Sequence, residues 1–389
     1  RLLSSSSSDL DQNFAFCLLP FALLLTTQRQ SSAAGTLIMK GFTFFVVVLV
    51  ALLHSAASFQ SGFVGKAHAR LPQISSRAGP MMVIPALAKK AKENAVNLRK
   101  QSIESDADHP VMKKMALLQG DGPLKPSTLV KDNLTRPKGS LTVVAEYRRK
   151  FSKAGWISEI LPPYFLSRIF RISGAKAAAV YIDENLGGAT LDDIREFVKE
   201  QAENKGEYPS PIPVVARDLI VDEFQLAEVA EAGAAGVTLS LSVVGAERAA
   251  QLRAAAAKLG LEAIAQVTSA EEAEQARELG FAMVAVAAGY EALREMYPRI
   301  PEDLLKIAFL ERNTDEGMEE IEEAWQLRRQ GYNGVWVSEL IYKGGMDEHE
   351  NTKAIIKALL AKTSTTFGRA KAISGKGEGA KEYLGTILM

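Results

Sequence analysis

The feature that most constrains the fold of this chain is a regular alternation between residues 141 and 362. Short apolar, β-branched runs alternate eight times with amphipathic helical stretches, a pattern typical of strands followed by helices. The predicted strands span 141–147, 177–183, 213–219, 236–243, 262–268, 283–289, 305–311 and 334–340. The predicted helices span 161–173, 191–204, 223–233, 245–259, 269–280, 291–297, 317–331 and 350–362.

Eight strand–helix units in roughly 220 residues are the number and size found in a TIM (β/α)8 barrel. A doubly wound open sheet is the alternative, but no glycine-rich fingerprint follows the first strand. The sequence therefore predicts an α/β barrel over 141–363. Before it, 83–140 is predicted to form an N-terminal helix, centred on 85–105, and a polar connecting segment over 106–139. After it, 364–389 is rich in Gly and Lys and is predicted to be a flexible tail.

The first 82 residues include segments with the composition of targeting sequences. Residues 1–38 are expected to be non-native upstream sequence, with Met39 as the true start. Residues 39–58 combine Lys40, an apolar run and small residues, as in a signal peptide, with a signal anchor as the alternative. Residues 59–82 are basic and lack Asp and Glu, as in a transit peptide. This order is similar to the bipartite presequence of secondary plastids. We therefore expect a stromal protein without stable membrane insertion after processing.

Composition excludes several classes of function. Lys and Arg total 46, as do Asp and Glu, so the net charge is zero and no bulk field favours nucleic acid or anionic membranes. The single cysteine, Cys17, precedes the expected mature chain, which excludes disulfides, thiolate metal sites and thiol nucleophiles there. The four His residues are scattered, so a metal site is not expected.

Charged and polar side chains follow the predicted strands, at the end of a barrel that carries function. They are Glu146, Arg148, Asp183, Glu184, Arg217, Asp218, Gln266, Glu311, Arg312, Asn313, Ser338 and Glu339. Two interpretations stay open at this point. The side chains either converge on an anionic ligand or form salt bridges that close the mouth of the barrel.

Three segments carry a resemblance to a known family. They are VVAEYRR at 143–149, PVVARDLIVDEFQ at 213–225 and LGLEA at 259–263. They resemble the indole-3-glycerol phosphate synthases, whose first strand typically reads IAEIKR and whose third reads PVLRKDFIID, followed by YQ. The resemblance extends from about residue 85 to 363. It implies a TIM barrel with an N-terminal helical segment, and no metal or organic cofactor. It also implies ring closure and decarboxylation of a carboxyphenylamino deoxyribulose phosphate in tryptophan synthesis.

The departures from that family fall on residues with chemical roles. Glu146 and Glu311 match family glutamates, whereas Gln266 replaces one. Arg148 and Arg217 replace two lysines, the second of which is the family's general acid. Arg312 replaces a serine that helps to hold phosphate, Ser338 replaces a glycine of the phosphate loop, and Ala287 and Gly289 replace an Asn and an Arg of the sixth strand. Arginine keeps its proton far above neutral pH, and glutamine does not ionise.

The resemblance therefore implies a catalytic set of Glu146, Arg148, Arg217, Gln266 and Glu311, with impaired activity, and substrate binding by Arg312 and Ser338. Two other functions stay open. One is a non-catalytic plastid barrel that binds an anion or a protein partner. The other is a different reaction on a related sugar phosphate, with Glu146 or Glu311 as base. Because two glutamates neutralise only part of three arginines, we expect the mouth to attract a phosphorylated or carboxylated small molecule.

Overall fold

The computed structural model of this chain describes residues 83–120, 127–136, 140–151, 155–157, 160–310, 318–342 and 348–361. The predicted signal peptide, transit peptide and tail lie outside these ranges, as do the site candidates Glu311 and Arg312. Within the described ranges, no helix is both long enough and apolar enough to cross a membrane.

Eight parallel strands form a closed barrel. They are β1 (Thr142–Tyr147), β2 (Ala177–Tyr181), β3 (Val214–Arg217), β4 (Gly236–Ser240), β5 (Glu262–Val267), β6 (Met283–Val286), β7 (Leu305–Leu310) and β8 (Gly334–Val337). Each strand pairs with the next, and β8 closes the ring on β1 with Thr142 opposite Gly334. The predicted TIM barrel is confirmed, and the open sheet is excluded.

At least one helix follows each barrel strand. These helices are α4 (Pro163–Ser173), α5 (Leu191–Glu203), α6 (Glu223–Glu231), α7 (Leu241–Val244), α8 (Ala246–Lys258), α9 (Ala270–Glu278), α10 (Tyr290–Met296), α11 (Met318–Gln330) and α12 (Glu348–Leu360). A short antiparallel pair, Lys150–Phe151 with Gly155–Trp156, lies between β1 and α4. Gly174, which ends α4, has φ of 99°, a left-handed conformation that suits glycine at a helix end.

The barrel interior is an apolar cluster that a helix of the N-terminal segment completes. Strand side chains such as Val144, Ile264 and Trp336 pack inside the ring, as expected from the alternation of inward and outward residues. The short helix α3 (Leu129–Leu134) adds the fully buried side chains of Val130 and Leu134 to this cluster. The N-terminal segment is therefore part of the barrel core.

A carboxylate at the start of β5 anchors α3. Glu262 accepts hydrogen bonds from the backbone N–H groups of Val130 (2.6 Å) and Lys131 (3.0 Å) and from the Ser127 hydroxyl (3.0 Å). It thereby satisfies amide groups that the first turn of a helix leaves without partners. The carboxylate also favours the positive end of the helix dipole.

The connecting segment predicted over 106–139 includes helical structure. The segment contains α2 (Pro110–Leu118) as well as α3. Both helices are too short to show a clear helical period in the sequence, and the surrounding Gly and Pro residues suggested an irregular chain. The predicted helix over 85–105 is present as α1 (Val83–Ile103).

Candidate active site

Glu146 is the centre of the polar groups at the carboxyl ends of the strands. It lies on β1 and is fully buried. Its Oε1 accepts a hydrogen bond from the Ser338 hydroxyl (2.6 Å), and its Oε2 accepts from Arg217 Nη1 (2.7 Å) and Trp336 Nε1 (2.7 Å). Burial alone would raise the pKa of Glu146, but the positive charges of Arg217 and Arg148 and the Ser338 hydroxyl hold it below its ordinary value. Glu146 is therefore an ionised carboxylate that accepts three hydrogen bonds.

Arg217, the last residue of β3, is held from three sides. Its guanidinium lies 4.3 Å from the ring centre of Tyr181 and 4.6 Å from that of Phe309, and it donates to Glu146. Arginine cations bind favourably over aromatic faces, and a buried cation needs a paired anion. Only 6% of this residue is exposed. Its position between two rings and a carboxylate fixes the guanidinium.

Arg148 follows β1 and links Glu146 to the end of β8. Its Nη1 donates to Glu339 Oε1 (2.8 Å) and to the Ser338 hydroxyl (3.0 Å), and its Nη2 donates to the carbonyl of Leu186 (3.3 Å). Its Nε lies 3.9 Å from Glu146 Oε1. We refer to Glu146, Arg148, Arg217, Ser338 and Glu339 as the Glu146 cluster.

The structure thus brings together four of the seven site residues expected from the sequence: Glu146, Arg148, Arg217 and Ser338. The expected surplus of positive charge is not found in the Glu146 cluster, because Glu339 supplies a second carboxylate for its two arginines. The sequence places Glu339 at a strand end, but the expected surplus counts only Glu146 and Glu311 against the arginines. Within the described part of the mouth, the salt-bridge interpretation accounts for both arginines.

A cavity of about 410 Å³ lies beside the Glu146 cluster, between the strand ends and α1. Tyr181, Arg217, Ser240 and the half-buried Gln266 line it on the barrel side. The small side chains of Ala88, Ala91 and Ala95 line it on the α1 side. Gln266 therefore lies at the predicted mouth but does not join the hydrogen-bonded cluster.

Lys92 is a residue of this cavity that the sequence interpretation missed. It extends from α1 to the ends of β2 and β3, where Nζ lies 2.5 Å from Asp218 Oδ1 and 3.3 Å from Asp183 Oδ2. Burial opposes the charged form of Lys92, but the two carboxylates outweigh it and raise the pKa of Lys92 above 10.5. Burial likewise raises the pKa of Asp218, against the effect of Lys92. The available signal was helical spacing, which places Lys92 on the same face of α1 as Ala88, Ala91 and Ala95.

Arg99 makes a second attachment of α1 to the barrel. Its Nε and Nη2 donate to the two carboxylate oxygens of Glu228 on α6, each at 3.1 Å. This two-point geometry fixes the direction of the guanidinium as well as its distance. Among the side chains that the structure describes, no group of three or more His, Cys, Asp or Glu residues is placed to hold a metal ion.

Comparisons with known proteins agree with the barrel fold. The model of the family described as indole-3-glycerol phosphate synthase matches residues 92–357. Similar proteins of that name occur in Bacteroides thetaiotaomicron (30% identity over 130 residues, 33% of this chain and 46% of the relative), Opitutus terrae (30% over 163 residues, 42% and 59%) and Leifsonia xyli subsp. xyli (26% over 237 residues, 59% and 84%).

The chain spans about half the length of the first two of these relatives, and most of the length of the third. The family match begins at Lys92, within α1, and continues into α12, so it includes the second half of α1 and all eight strands. The chain belongs to the indole-3-glycerol phosphate synthase family.

Proposed function

We propose that this chain is a divergent member of its family that binds a phosphorylated or carboxylated small molecule at the barrel mouth and forms indole glycerol phosphate slowly or not at all. One observation carries the proposal. Arg217 stands where the resemblance places the family's general-acid lysine, and its guanidinium is held 2.7 Å from Glu146. Because arginine keeps its proton at neutral pH, Arg217 supplies charge there but no proton.

The neighbouring groups are poor replacements for that acid. Glu146 is ionised and accepts three hydrogen bonds, and the Gln266 amide does not ionise. Lys92 has a raised pKa and is paired with two carboxylates, so it releases its proton reluctantly. General acid–base catalysis contributes about 10²–10⁴-fold to a reaction rate. The loss of a competent acid therefore predicts a strongly reduced turnover.

Binding by the mouth is supported by family membership, because the family acts on a phosphorylated small molecule, and by the cavity beside Arg217. Calorimetric titration of the protein with the family substrate and with inorganic phosphate tests it. We expect the substrate to bind with a dissociation constant of about 1 μM–1 mM, the range usual for enzyme substrates. Absence of heat from both ligands, with an intact fold by circular dichroism, would contradict binding.

The proposed site of action is the plastid stroma. The support is the composition of 39–82, in which a signal-peptide pattern precedes a basic segment free of Asp and Glu. A fluorescent fusion of residues 39–85 should reach the plastid, and the same fusion carrying Phe59→Ala should be diverted. Secretion of the unaltered fusion, or its retention in the endoplasmic reticulum, is the outcome that excludes this proposal.

A further inference from the structure

The ammonium of Lys92 is held rigidly but is not saturated with partners. A lysine has three N–H donors, and two of them point to Asp218 and Asp183. The two carboxylates are themselves fixed. Asp183 accepts hydrogen bonds from the backbone N–H groups of Asn185 and Leu186. Asp218 accepts hydrogen bonds from the backbone N–H of Leu219 and from the side-chain amide of Gln225. One donor of Lys92 is left for another acceptor.

The carboxylates of Asp183 and Asp218 also retain hydrogen-bond acceptor sites. Each carboxylate has about four lone-pair sites. Asp183 and Asp218 each use three of them for the hydrogen bonds above, so each retains one. Across the cavity, the Gln266 side-chain amide has no hydrogen-bond partner among the residues that the structure describes. The cavity wall therefore presents both donors and acceptors.

The charges of Lys92, Asp183 and Asp218 do not favour the binding of an anion beside them. One ammonium faces two carboxylates, which leaves a net negative charge, and Arg217 is already paired with Glu146. A hydroxyl group suits the wall better, because it both donates and accepts a hydrogen bond and carries no charge. The alanine face of α1 leaves room for a carbon chain beside these polar groups.

We propose that Lys92, Asp183, Asp218 and Gln266 bind the hydroxyl groups of a sugar or polyol chain, which makes Lys92 a residue that contacts ligand and determines its specificity. The inference rests on the proposed function, since it names the part of the small molecule that enters the cavity. Lys92 also connects that ligand to α1, so occupancy of the cavity stabilises the position of the helix over the mouth.

The test compares two phosphates of equal carbon number, ribulose 5-phosphate and n-pentyl phosphate, by calorimetric titration of the full chain. We expect the parent to bind ribulose 5-phosphate at least about tenfold more tightly, because hydrogen bonds to charged groups are strong. In Lys92→Met, that preference should fall to about threefold or less, with the affinity for n-pentyl phosphate unchanged. Lys90→Met, an exposed lysine of the same helix, is the matched control and should keep the preference.

Since Lys92→Met also removes two ion pairs of α1, Lys92→Arg serves as the second variant. It keeps the charge and the donors, and should retain the preference for ribulose 5-phosphate. Equal loss of affinity for both phosphates in Lys92→Met would overturn the inference, because Lys92 would then act on the phosphate or only on the helix. Equal binding of both phosphates by the parent would overturn it and leave the proposed function standing. Binding of neither phosphate by the parent would overturn both.

Discussion

The variant that carries Arg148→Lys, Arg217→Lys and Gln266→Glu should form indole glycerol phosphate at least about 10²-fold faster than the parent chain. The three changes restore the ionisable groups that the family pattern has at these positions. Lysine at 217 supplies an acid with an accessible pKa. Because its ammonium group is smaller than a guanidinium, the carboxylate of Glu146 has one hydrogen-bond donor fewer. Glutamate at 266 adds a base on the cavity wall. The measurement is product formation from the family substrate under saturating conditions.

Arg277→Lys is the matched control, since it makes the same exchange in a surface ion pair with Glu274. It should leave turnover at the parent level. An unchanged turnover in a triple variant that is folded and still binds substrate would mean that the loss lies elsewhere. The departures at Ala287 and Gly289, just after β6, are then the next positions to rebuild.

Replacing Glu146 with leucine should lower the free energy of unfolding by about 3–5 kcal/mol, the effect of removing one partner from a buried ion pair. Arg217 would lose the carboxylate of Glu146 while it stays between the rings of Tyr181 and Phe309. Of its two carboxylate neighbours, Arg148 would keep Glu339. Urea unfolding followed by circular dichroism measures the change. A loss below about 1 kcal/mol would contradict the importance of the Glu146 cluster for stability.

Glu146→Gln is the control for charge at nearly constant shape. The pKa of Glu146 is lower in the folded chain than its ordinary value of 4.5. Its carboxylate therefore contributes stability above the unfolded pKa, and that contribution is lost as the pH falls through the folded pKa. The glutamine variant should lack this part of the acid sensitivity, so its stability should differ most from that of the parent near neutral pH.

The barrel was predictable because each strand is marked by a short apolar run in the local sequence. Runs such as 334–340 are apolar and bounded by turns, although β8 itself ends at Val337, three residues earlier than expected. The predicted ends were too long because side chains such as Ser338 and Glu339 belong to the mouth and the following turn, where burial comes from the tertiary structure.

The partners within the site were not predictable in the same way. Lys92 meets Asp218 across 126 positions of the chain, and Arg148 meets Glu339 across 191. Such contacts depend on how α1 crosses the strand ends and on the turn after β8. The sequence identified Glu146, Arg148, Arg217 and Ser338 through their place at strand ends, but the roles of Lys92 and Glu339 became visible only in the folded barrel.

Steady-state turnover of the parent chain with the family substrate, carboxyphenylamino deoxyribulose phosphate, tests the central claim most directly. The chain should bind this substrate and yet form indole glycerol phosphate below about 1 per second, because Arg217 stands at the position of the general acid. Turnover at the rates of ordinary enzymes, about 1–10³ per second, would contradict the account and show that the mouth retains a competent proton donor.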